Sequence, residues 1–191
     1  MSRPMLIIVT GRPGSGKTTL AKTLGEKMYL PVISRDEIKE GYVYTMGVPH
    51  AQLPDGNLTA TDMFFRTVEK LLDGGVSLIA EAAFQHSLWS ARLEALMKKA
   101  RMAVIICQPG DDETAYQRYL ERREKEPLRV FFHGDSGGEG DMPPYVPPEL
   151  NVPTLHVDTT DGYSPALPEL IDWIVEKSLR KSVKPGIIEG E

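Results

Sequence analysis

The stretch that decides the fold is Met5-Leu6-Ile7-Ile8-Val9-Thr10-Gly11-Arg12-Pro13-Gly14-Ser15-Gly16-Lys17-Thr18-Thr19. It opens with a continuous apolar run, which is typical of a β-strand buried on both faces. The segment from Gly11 to Thr18 then fits G-x-x-x-x-G-K-[S/T] at every fixed position. Apolar residues follow at helical spacing, as Leu20, Leu24 and Met28. The stretch therefore predicts a strand, a glycine-rich loop and a helix in succession.

Each part of this loop suits the binding of a polyphosphate. Glycines let the backbone N–H groups turn toward phosphate oxygens, and the following helix presents its positive N-terminus to the same anion. Lys17 adds a positive charge for the β- and γ-phosphates, and Thr18 offers a hydroxyl to Mg²⁺. We therefore predict a nucleotide site formed by residues 11–19, which are Gly11, Arg12, Pro13, Gly14, Ser15, Gly16, Lys17, Thr18 and Thr19. The alternative is a strand-to-helix turn that binds nothing.

Four further apolar runs alternate with helical patterns along the chain. They predict strands over 31–33, 76–84, 103–107 and 154–157. Strands that alternate with helices favour a parallel sheet covered by helices. The sequence therefore predicts an α/β protein.

Capping and stop residues predict where the helices begin and end. Ser34 and Glu37 fit a capping box that opens a short helix, and Gly74-Gly75 ends a helix that starts at Thr61. Charged residues favour a helix over 112–125. The remaining signals are Ser87 as an N-cap, Ser164-Pro165 as a helix start, loops over 47–60 and 133–148, and a frayed tail after Lys184.

Composition narrows the classes of protein that the chain can belong to. With 191 residues, 41% hydrophobic and 26% charged, we expect one globular domain over 1–191 and no membrane span. The single Cys107 excludes an intrachain disulfide and favours a reducing, cytoplasmic setting. A net charge of −5 argues against a surface that grips nucleic acid throughout. The four histidines lack metal-ligand spacing, so no zinc site is predicted.

Several classes of protein share such a nucleotide-binding loop, and two features of this sequence exclude some of these classes. An N-K-x-D segment, which reads guanine in GTPase switches, does not occur. The chain is also short for a motor or remodelling ATPase. Small kinases remain, and transfer of a phosphoryl group to a hydroxyl needs a base near the acceptor. Asp36, just past the second predicted strand, is the best candidate; the alternative is that it only favours a helix N-terminus.

Three more residues are candidates for the phosphoryl-transfer chemistry. Glu81 ends the third strand, where a carboxylate could hold Mg²⁺ or orient the acceptor; the alternative is a solvated strand end. Arg118 and Arg122 share one face of the charged helix and could close over the γ-phosphate. A solvated helix with ion pairs is the alternative there. We expect Phe64, Phe65 and Trp89 in the core, possible substrate contacts from His86 and His133, and an acceptor pocket within 41–66 that includes Tyr42, Tyr44, His50 and Arg66.

In these features the sequence resembles the P-loop kinases of the polynucleotide-kinase-like type, which include chloramphenicol phosphotransferases and zeta-toxin kinases. The resemblance is carried by the strand and glycine loop, by Ile33-Ser34-Arg35-Asp36-Glu37-Ile38, and by the arginine pair at 118 and 122. The run Leu155-His156-Val157-Asp158-Thr159-Thr160 is similar to the family's fifth strand and the loop beside the adenine. Glu81 departs from the family, where many members have Asp.

The resemblance implies a three-layer P-loop NTPase fold with a five-stranded parallel sheet and a helical lid, about 111–148. It implies ATP with Mg²⁺, Asp36 as the base, and Arg118 with Arg122 on the lid. Arg35 and Glu81 are then expected beside the acceptor, and Thr18 with Glu81 beside the metal. The expected activity is transfer of the γ-phosphate of ATP to a hydroxyl of a small molecule. A polynucleotide 5′-hydroxyl kinase and a nucleotide-dependent regulatory ATPase are the alternatives.

Overall fold

The computed structural model describes residues 3–126, 128–134 and 145–179, in which strands and helices alternate. A single turn of 3₁₀ helix at His50–Gln52 lies between the second and third helices. The elements in chain order are β1 (Met5–Thr10), α1 (Lys17–Met28), β2 (Val32–Ser34), α2 (Arg35–Met46), α3 (Gly56–Asp73), β3 (Leu78–Glu81), α4 (His86–Met97), β4 (Arg101–Gln108), α5 (Asp112–Lys125), α6 (Arg129–His133), β5 (Thr154–Asp158) and α7 (Leu167–Leu179).

The strands form one sheet in the order β2-β3-β1-β4-β5, and every pairing is parallel. Strand β1 lies at the centre, and all six of its residues are buried. Because the strands are parallel, their carboxyl ends share one edge, where ligands of open α/β sheets bind. The predicted α/β class with five parallel strands is confirmed.

The two faces of the sheet have separate cores, which gives the fold three layers. On one face Leu6 and Ile8 of β1 pack with α3 and α4, and Phe64, Phe65 and Trp89 belong to this core as predicted. The opposite face packs α1 and α7 against Ile7 and Val9. Alternate β1 residues thus supply both cores, since successive side chains of a strand point to opposite faces. Cys107 is buried in the second core, also as predicted.

The capping predicted for two helices near the sheet edge differs from the structure. Helix α2 begins directly after Ser34, as predicted, but the Ser34 hydroxyl donates to Glu81 and makes no capping bond, so the predicted capping box does not form. Helix α4 begins at His86, one residue before Ser87, since the carbonyl of Gln85 accepts the first turn's N–H groups.

Helix α3 begins at Gly56, five residues before the predicted Thr61, so the predicted 47–60 loop is partly helical. The small residues Gly56 and Ala60 are buried and continue the apolar stripe of Phe64 and Val68 by one turn. A side chain at Gly56 would press on Leu53 and His50, which explains why a glycine starts this helix. Small buried residues carry too little apolar signal to be seen in the sequence.

At the ends of other elements the structure also differs from prediction. Strand β3 starts at Leu78 and not at Val76, because the Val76 N–H still bonds the α3 carbonyl of Leu71. Helix α7 starts at Leu167 and not at Pro165, because Ser164 pairs with Asp158 in an antiparallel bridge. Helix α6 ends at His133, where a loop was predicted to start. The rest of that loop over 135–144 and the tail after Lys184 lie outside the described residues.

No helix in the described part of the chain is long and apolar enough to cross a bilayer.

Candidate active site

The glycine loop lies between β1 and α1 at the carboxyl edge of the sheet, as predicted. Gly14 and Gly16 have φ angles of 79° and 78°, the left-handed region that glycine adopts without strain. Gly14 also lies directly under the Ala115 carbonyl of α5, where a Cβ atom would collide. Gly16 forms the N-cap of α1. The loop is therefore shaped to aim backbone N–H groups and a helix N-terminus at an anion.

Four side chains from three elements meet behind this loop around Glu81, at the end of β3. One Glu81 carboxylate oxygen accepts from the Thr18 hydroxyl at 3.2 Å, and the other accepts from the Ser34 hydroxyl at 2.7 Å. The Lys17 ammonium lies 4.0 Å from the first of these oxygens. The register that pairs Val9 and Ser34 with Glu81 across the sheet brings the groups together.

The environment of Glu81 is a buried one, which excludes the solvated strand end considered above. Only 2% of the residue is exposed. Burial raises the pKa of Glu81, while Lys17 and the hydroxyls of Ser34 and Thr18 act in the opposite direction. Burying a carboxylate without a compensating positive charge costs free energy. The burial of Glu81 therefore indicates that a positive charge is bound beside it.

Oxygen donors at Thr18 and Glu81 fit a magnesium ion. Mg²⁺ prefers carboxylate and hydroxyl oxygens and takes most of its remaining ligands from phosphates and water. The described residues include no group of three or more His, Cys, Asp or Glu side chains that could hold a metal ion without ligands from phosphate or water. The donor set therefore suits a metal that arrives with a nucleotide.

Asp36 lies in the first turn of α2, directly beyond the strand that carries Ser34. Its side chain is 41% exposed, and one carboxylate oxygen accepts from Arg35 at 3.2 Å. Although partial burial alone would raise it, the positive charges of Lys39, Lys17, His133 and Arg35 hold the pKa of Asp36 at about 2. Lys17 of the glycine loop is among the charges that lower this pKa. Asp36 is therefore ionised at neutral pH.

The lid arginines of α5 occupy different environments. The Arg118 guanidinium donates to the carbonyls of Thr159 and Thr160, at 3.0 and 2.6 Å. Arg122 is 44% exposed and lies 3.5 Å from Glu126, one turn later. Arg118 thus contacts the loop after β5, whereas Arg122 has the ion pair that was the alternative interpretation.

Several contacts join the phosphate loop to its neighbours and were not predicted from the sequence. Arg12 forms an ion pair of 2.7 Å with Asp112 in the first turn of α5. The buried Thr159 hydroxyl donates to the carbonyl of Ser15 at 2.8 Å. The base of the lid helix and the loop after β5 are thereby attached to the loop that would hold the phosphates. No local sequence pattern predicts contacts between residues that are about 100 or more positions apart.

The other candidate residues are distributed over more than one surface. His50 lies in the 3₁₀ turn before α3, and burial together with the charges of Lys39 and Arg35 lowers its pKa. Tyr44 is largely exposed, and Arg66 lines a cleft between α3 and α4.

The two candidate histidines have different partners. His86 accepts the Glu149 N–H at 3.1 Å and so fixes the returning chain segment. His133 contacts the Glu40 carboxylate of α2 at 2.7 Å.

The comparison with protein families gives one extended match. Residues 6–133 match AAA_33, a family described as an AAA domain, over more than half of the chain. The chain belongs to this AAA domain family. No curated protein matches it significantly.

Solved structures similar to this AAA domain protein include kinases. A candidate kinase of Chloroflexus aurantiacus is 28% identical with a TM-score of 0.77, covering 94% of this chain and 100% of that one. The Mycobacterium tuberculosis APS kinase CysC, solved with AMPPNP and APS, is 16% identical with a TM-score of 0.56, covering 93% and 98%. A chain of the Pnkp1/Rnl/Hen1 RNA repair complex is 21% identical with a TM-score of 0.55, covering 65% and 39%. The predicted resemblance to P-loop kinases is confirmed.

Proposed function

We propose that this protein is an ATP-dependent phosphotransferase that moves the γ-phosphate of ATP to a hydroxyl group of a small molecule. The observation that carries the proposal is the arrangement at the sheet edge. Glu81 lies within 4.0 Å of Lys17 and accepts from the Thr18 hydroxyl, and Asp36 lies in the first turn after β2, the strand that pairs with the Glu81 strand. Phosphoryl transfer depends on positioning and charge stabilisation, and this arrangement supplies both.

On the donor side, the backbone of residues 11–19 and the ammonium of Lys17 would bind the β- and γ-phosphates of ATP. Thr18 and Glu81 would hold Mg²⁺, which supplies positive charge next to the phosphate oxygens. Arg118 would steady the loop that carries Thr159 and Thr160. Arg122, whose ion pair is exposed to solvent, would turn toward the transferring group. In this proposal α5 and α6 belong to the lid predicted over 111–148.

On the acceptor side, Asp36 would receive a hydrogen bond from the attacking hydroxyl. Because its pKa is about 2, Asp36 is a weak base. Its main contribution would be to orient the hydroxyl in line with the phosphate, and the proton would move late, once the new P–O bond has formed. Arg35, which contacts Asp36 at 3.2 Å, would fix the carboxylate and border the acceptor.

A screen for transfer tests the proposal directly. The full chain would be incubated with ATP and Mg²⁺ and with hydroxylated metabolites, antibiotics and 5′-hydroxyl oligonucleotides, and each acceptor would be examined for a mass gain of one phosphate. We expect a small molecule to gain phosphate and the Lys17→Ala variant to transfer none. Transfer to oligonucleotide ends alone would support a polynucleotide kinase instead. ATP hydrolysis that no hydroxyl compound stimulates would support a regulatory ATPase.

A further inference from the structure

Helix α5 lies against the phosphate loop but outside both hydrophobic cores. None of its residues, all of which the structure describes, belongs to either core. Ala115 is buried, and its carbonyl lies so close to Gly14 that a Cβ atom on Gly14 would collide with it. A helix without an apolar face in a core depends on polar contacts for its position. The polar contacts between α5 and the phosphate loop therefore decide where this part of the lid lies.

Arg12 makes one of these contacts. Its guanidinium lies 2.7 Å from the carboxylate of Asp112, in the first turn of α5. The Arg12 side chain is 18% exposed and that of Asp112 is 72% exposed. Because the guanidinium is mostly shielded from water, this pair should contribute more than a pair between two exposed side chains. Arg12 occupies a variable position of G-x-x-x-x-G-K-[S/T], so phosphate binding by itself does not require an arginine there.

A second set of contacts returns from α5 to the phosphate loop. The Arg118 guanidinium donates to the Thr159 carbonyl at 3.0 Å, and the Thr159 hydroxyl donates to the Ser15 carbonyl at 2.8 Å. Together with the pair of Arg12 and Asp112, these contacts form a closed ring through the phosphate loop, α5 and the loop after β5. No member of such a ring can shift without disturbing its neighbours on both sides.

The ring also includes groups that would contact the nucleotide. The Arg12 carbonyl accepts the Ser15 N–H at 3.1 Å and lies 3.5 Å from the Lys17 ammonium, which donates to it. A shift of Arg12 would therefore displace the phosphate loop and the ammonium that the proposed function assigns to the β- and γ-phosphates. Donors that are already in position bind an anion more tightly, because less freedom is lost on binding.

We propose, resting on the phosphotransferase function above, that Arg12 is a positioning residue for the nucleotide. By pairing with Asp112, it holds the first turns of α5 on the phosphate loop and keeps the loop in the shape that accepts phosphates. Lid closure would then begin beyond Arg118, where the ion pair of Arg122 is exposed. The alternative is that Arg12 leaves Asp112 and binds a phosphate oxygen directly.

Removing one partner at a time distinguishes these two roles. Binding of AMPPNP with Mg²⁺ would be measured by calorimetry for Arg12→Gln and for Asp112→Asn. If Arg12 acts through Asp112, both variants break the pair, and we expect both to bind AMPPNP about 5-fold more weakly. If Arg12 binds phosphate directly, Asp112→Asn frees it and removes a negative charge. That variant would then bind AMPPNP more tightly, which would overturn the inference. Glu113→Gln, which removes a negative charge from the same turn, is the matched control and should leave the affinity almost unchanged.

Amide hydrogen exchange without nucleotide tests the pair independently. We expect the first turns of α5 to exchange faster in Arg12→Gln and in Asp112→Asn, but not in Glu113→Gln, because the pair holds this part of the helix in place. The double variant Arg12→Gln/Asp112→Asn should bind AMPPNP no more weakly than Arg12→Gln alone, since the same pair is broken in both. Unchanged exchange in both single variants, or additive losses of affinity in the double variant, would contradict the role of the pair.

These measurements separate the inference from the proposed function. If both variants bind AMPPNP more weakly but no acceptor gains phosphate, the proposed function fails while the role of Arg12 stands. If an acceptor gains phosphate and both variants bind AMPPNP like the unchanged chain, the inference fails while the function stands. In transfer assays, Arg12→Gln should raise the KM for ATP about 5-fold with little change in kcat, since Arg12 acts on binding and not on the reacting atoms. A fall in kcat at an unchanged KM would place Arg12 in the reaction itself and overturn the inference.

Discussion

The candidate site has a nucleotide half (residues 11–19 with Glu81 and Arg118) and an acceptor half (Arg35, Asp36 and His50), and the two differ in how many of their polar groups have hydrogen-bond partners within the chain. In the nucleotide half, both Glu81 oxygens accept hydrogen bonds and the Arg118 guanidinium donates to two carbonyls, although the buried Ser15 hydroxyl has no partner among the described atoms. In the acceptor half, the Nε of Arg35 and the Nε2 of His50 are buried without a partner among the described atoms.

This difference has a functional meaning. Groups that are already fixed by the fold act on a developing charge without having to reorganise, which is where most electrostatic catalysis arises. Groups that lack a partner gain one when the right ligand binds, and a ligand without the matching charge leaves them unpaired. The nucleotide half is therefore expected to set the rate for every acceptor, and the acceptor half to select among acceptors.

The largest effect should come from Lys17, at the centre of the nucleotide half. Lys17→Ala removes the ammonium beside the phosphates and leaves Glu81 buried without its cation, so we expect transfer to fall by about 10³-fold for every acceptor. Transfer would be measured with radiolabelled ATP. The control is Lys22→Ala, which removes only an exposed lysine that pairs with Glu37. A loss in Lys17→Ala that is restricted to one acceptor would break the division into two halves.

Asp36 connects the halves and should give the next largest effect. Asp36→Asn keeps the shape but removes the charge that orients the hydroxyl in the proposed reaction, so we expect kcat to fall by about 10²-fold while ATP still binds. Glu37→Gln, in the same turn, is the control. Because the folded pKa of Asp36 is lowered from 3.8 to about 2, its carboxylate stays ionised until the pH falls toward 2. Asp36 should therefore cause no loss of activity between pH 5 and 7 in a kcat profile, and a loss there that disappears in Asp36→Asn would contradict this.

The sequence predicts the nucleotide half better than the acceptor half, for a physical reason. The strand, the glycine loop and the start of α1 are consecutive, so their geometry follows from local residue types. The contact of Ser34 with Glu81 joins residues 47 positions apart, and the sequence instead favoured a capping box. Helix α6 and its contact with Glu40 depend on packing against α2, which has no local signal. The lack of a partner for the buried Nε of Arg35 likewise becomes visible only in three dimensions.

Glu81 tests whether the nucleotide half includes the metal. Glu81→Gln keeps the shape of the side chain but carries no charge, and its single oxygen can accept from only one of the Thr18 and Ser34 hydroxyls, so we expect activity to fall about 10-fold at limiting Mg²⁺ and to recover in part at high Mg²⁺. Burial raises the folded pKa of Glu81, so ionisation opposes folding above that pKa, and Glu81→Gln should melt at a higher temperature at neutral pH. Glu26→Gln on the exposed side of α1 is the control. An unchanged Mg²⁺ dependence would indicate that Glu81 contacts the acceptor and not the metal.

The smallest expected effects separate the two lid arginines. Arg118 donates to the carbonyls of Thr159 and Thr160, so Arg118→Ala should loosen the loop after β5. We therefore expect the KM for ATP to rise about 5-fold with little change in kcat. Arg122 pairs with Glu126, an exposed glutamate, and that pair contributes little to stability. If Arg122 turns to the phosphoryl group, Arg122→Ala should lower kcat about 5-fold and leave the KM almost unchanged. Steady-state kinetics with ATP as the varied substrate distinguishes the two patterns. A fall in kcat in Arg118→Ala would mean that Arg118 leaves its carbonyls when the lid closes, and the nucleotide half would then be less fixed than its hydrogen bonds imply.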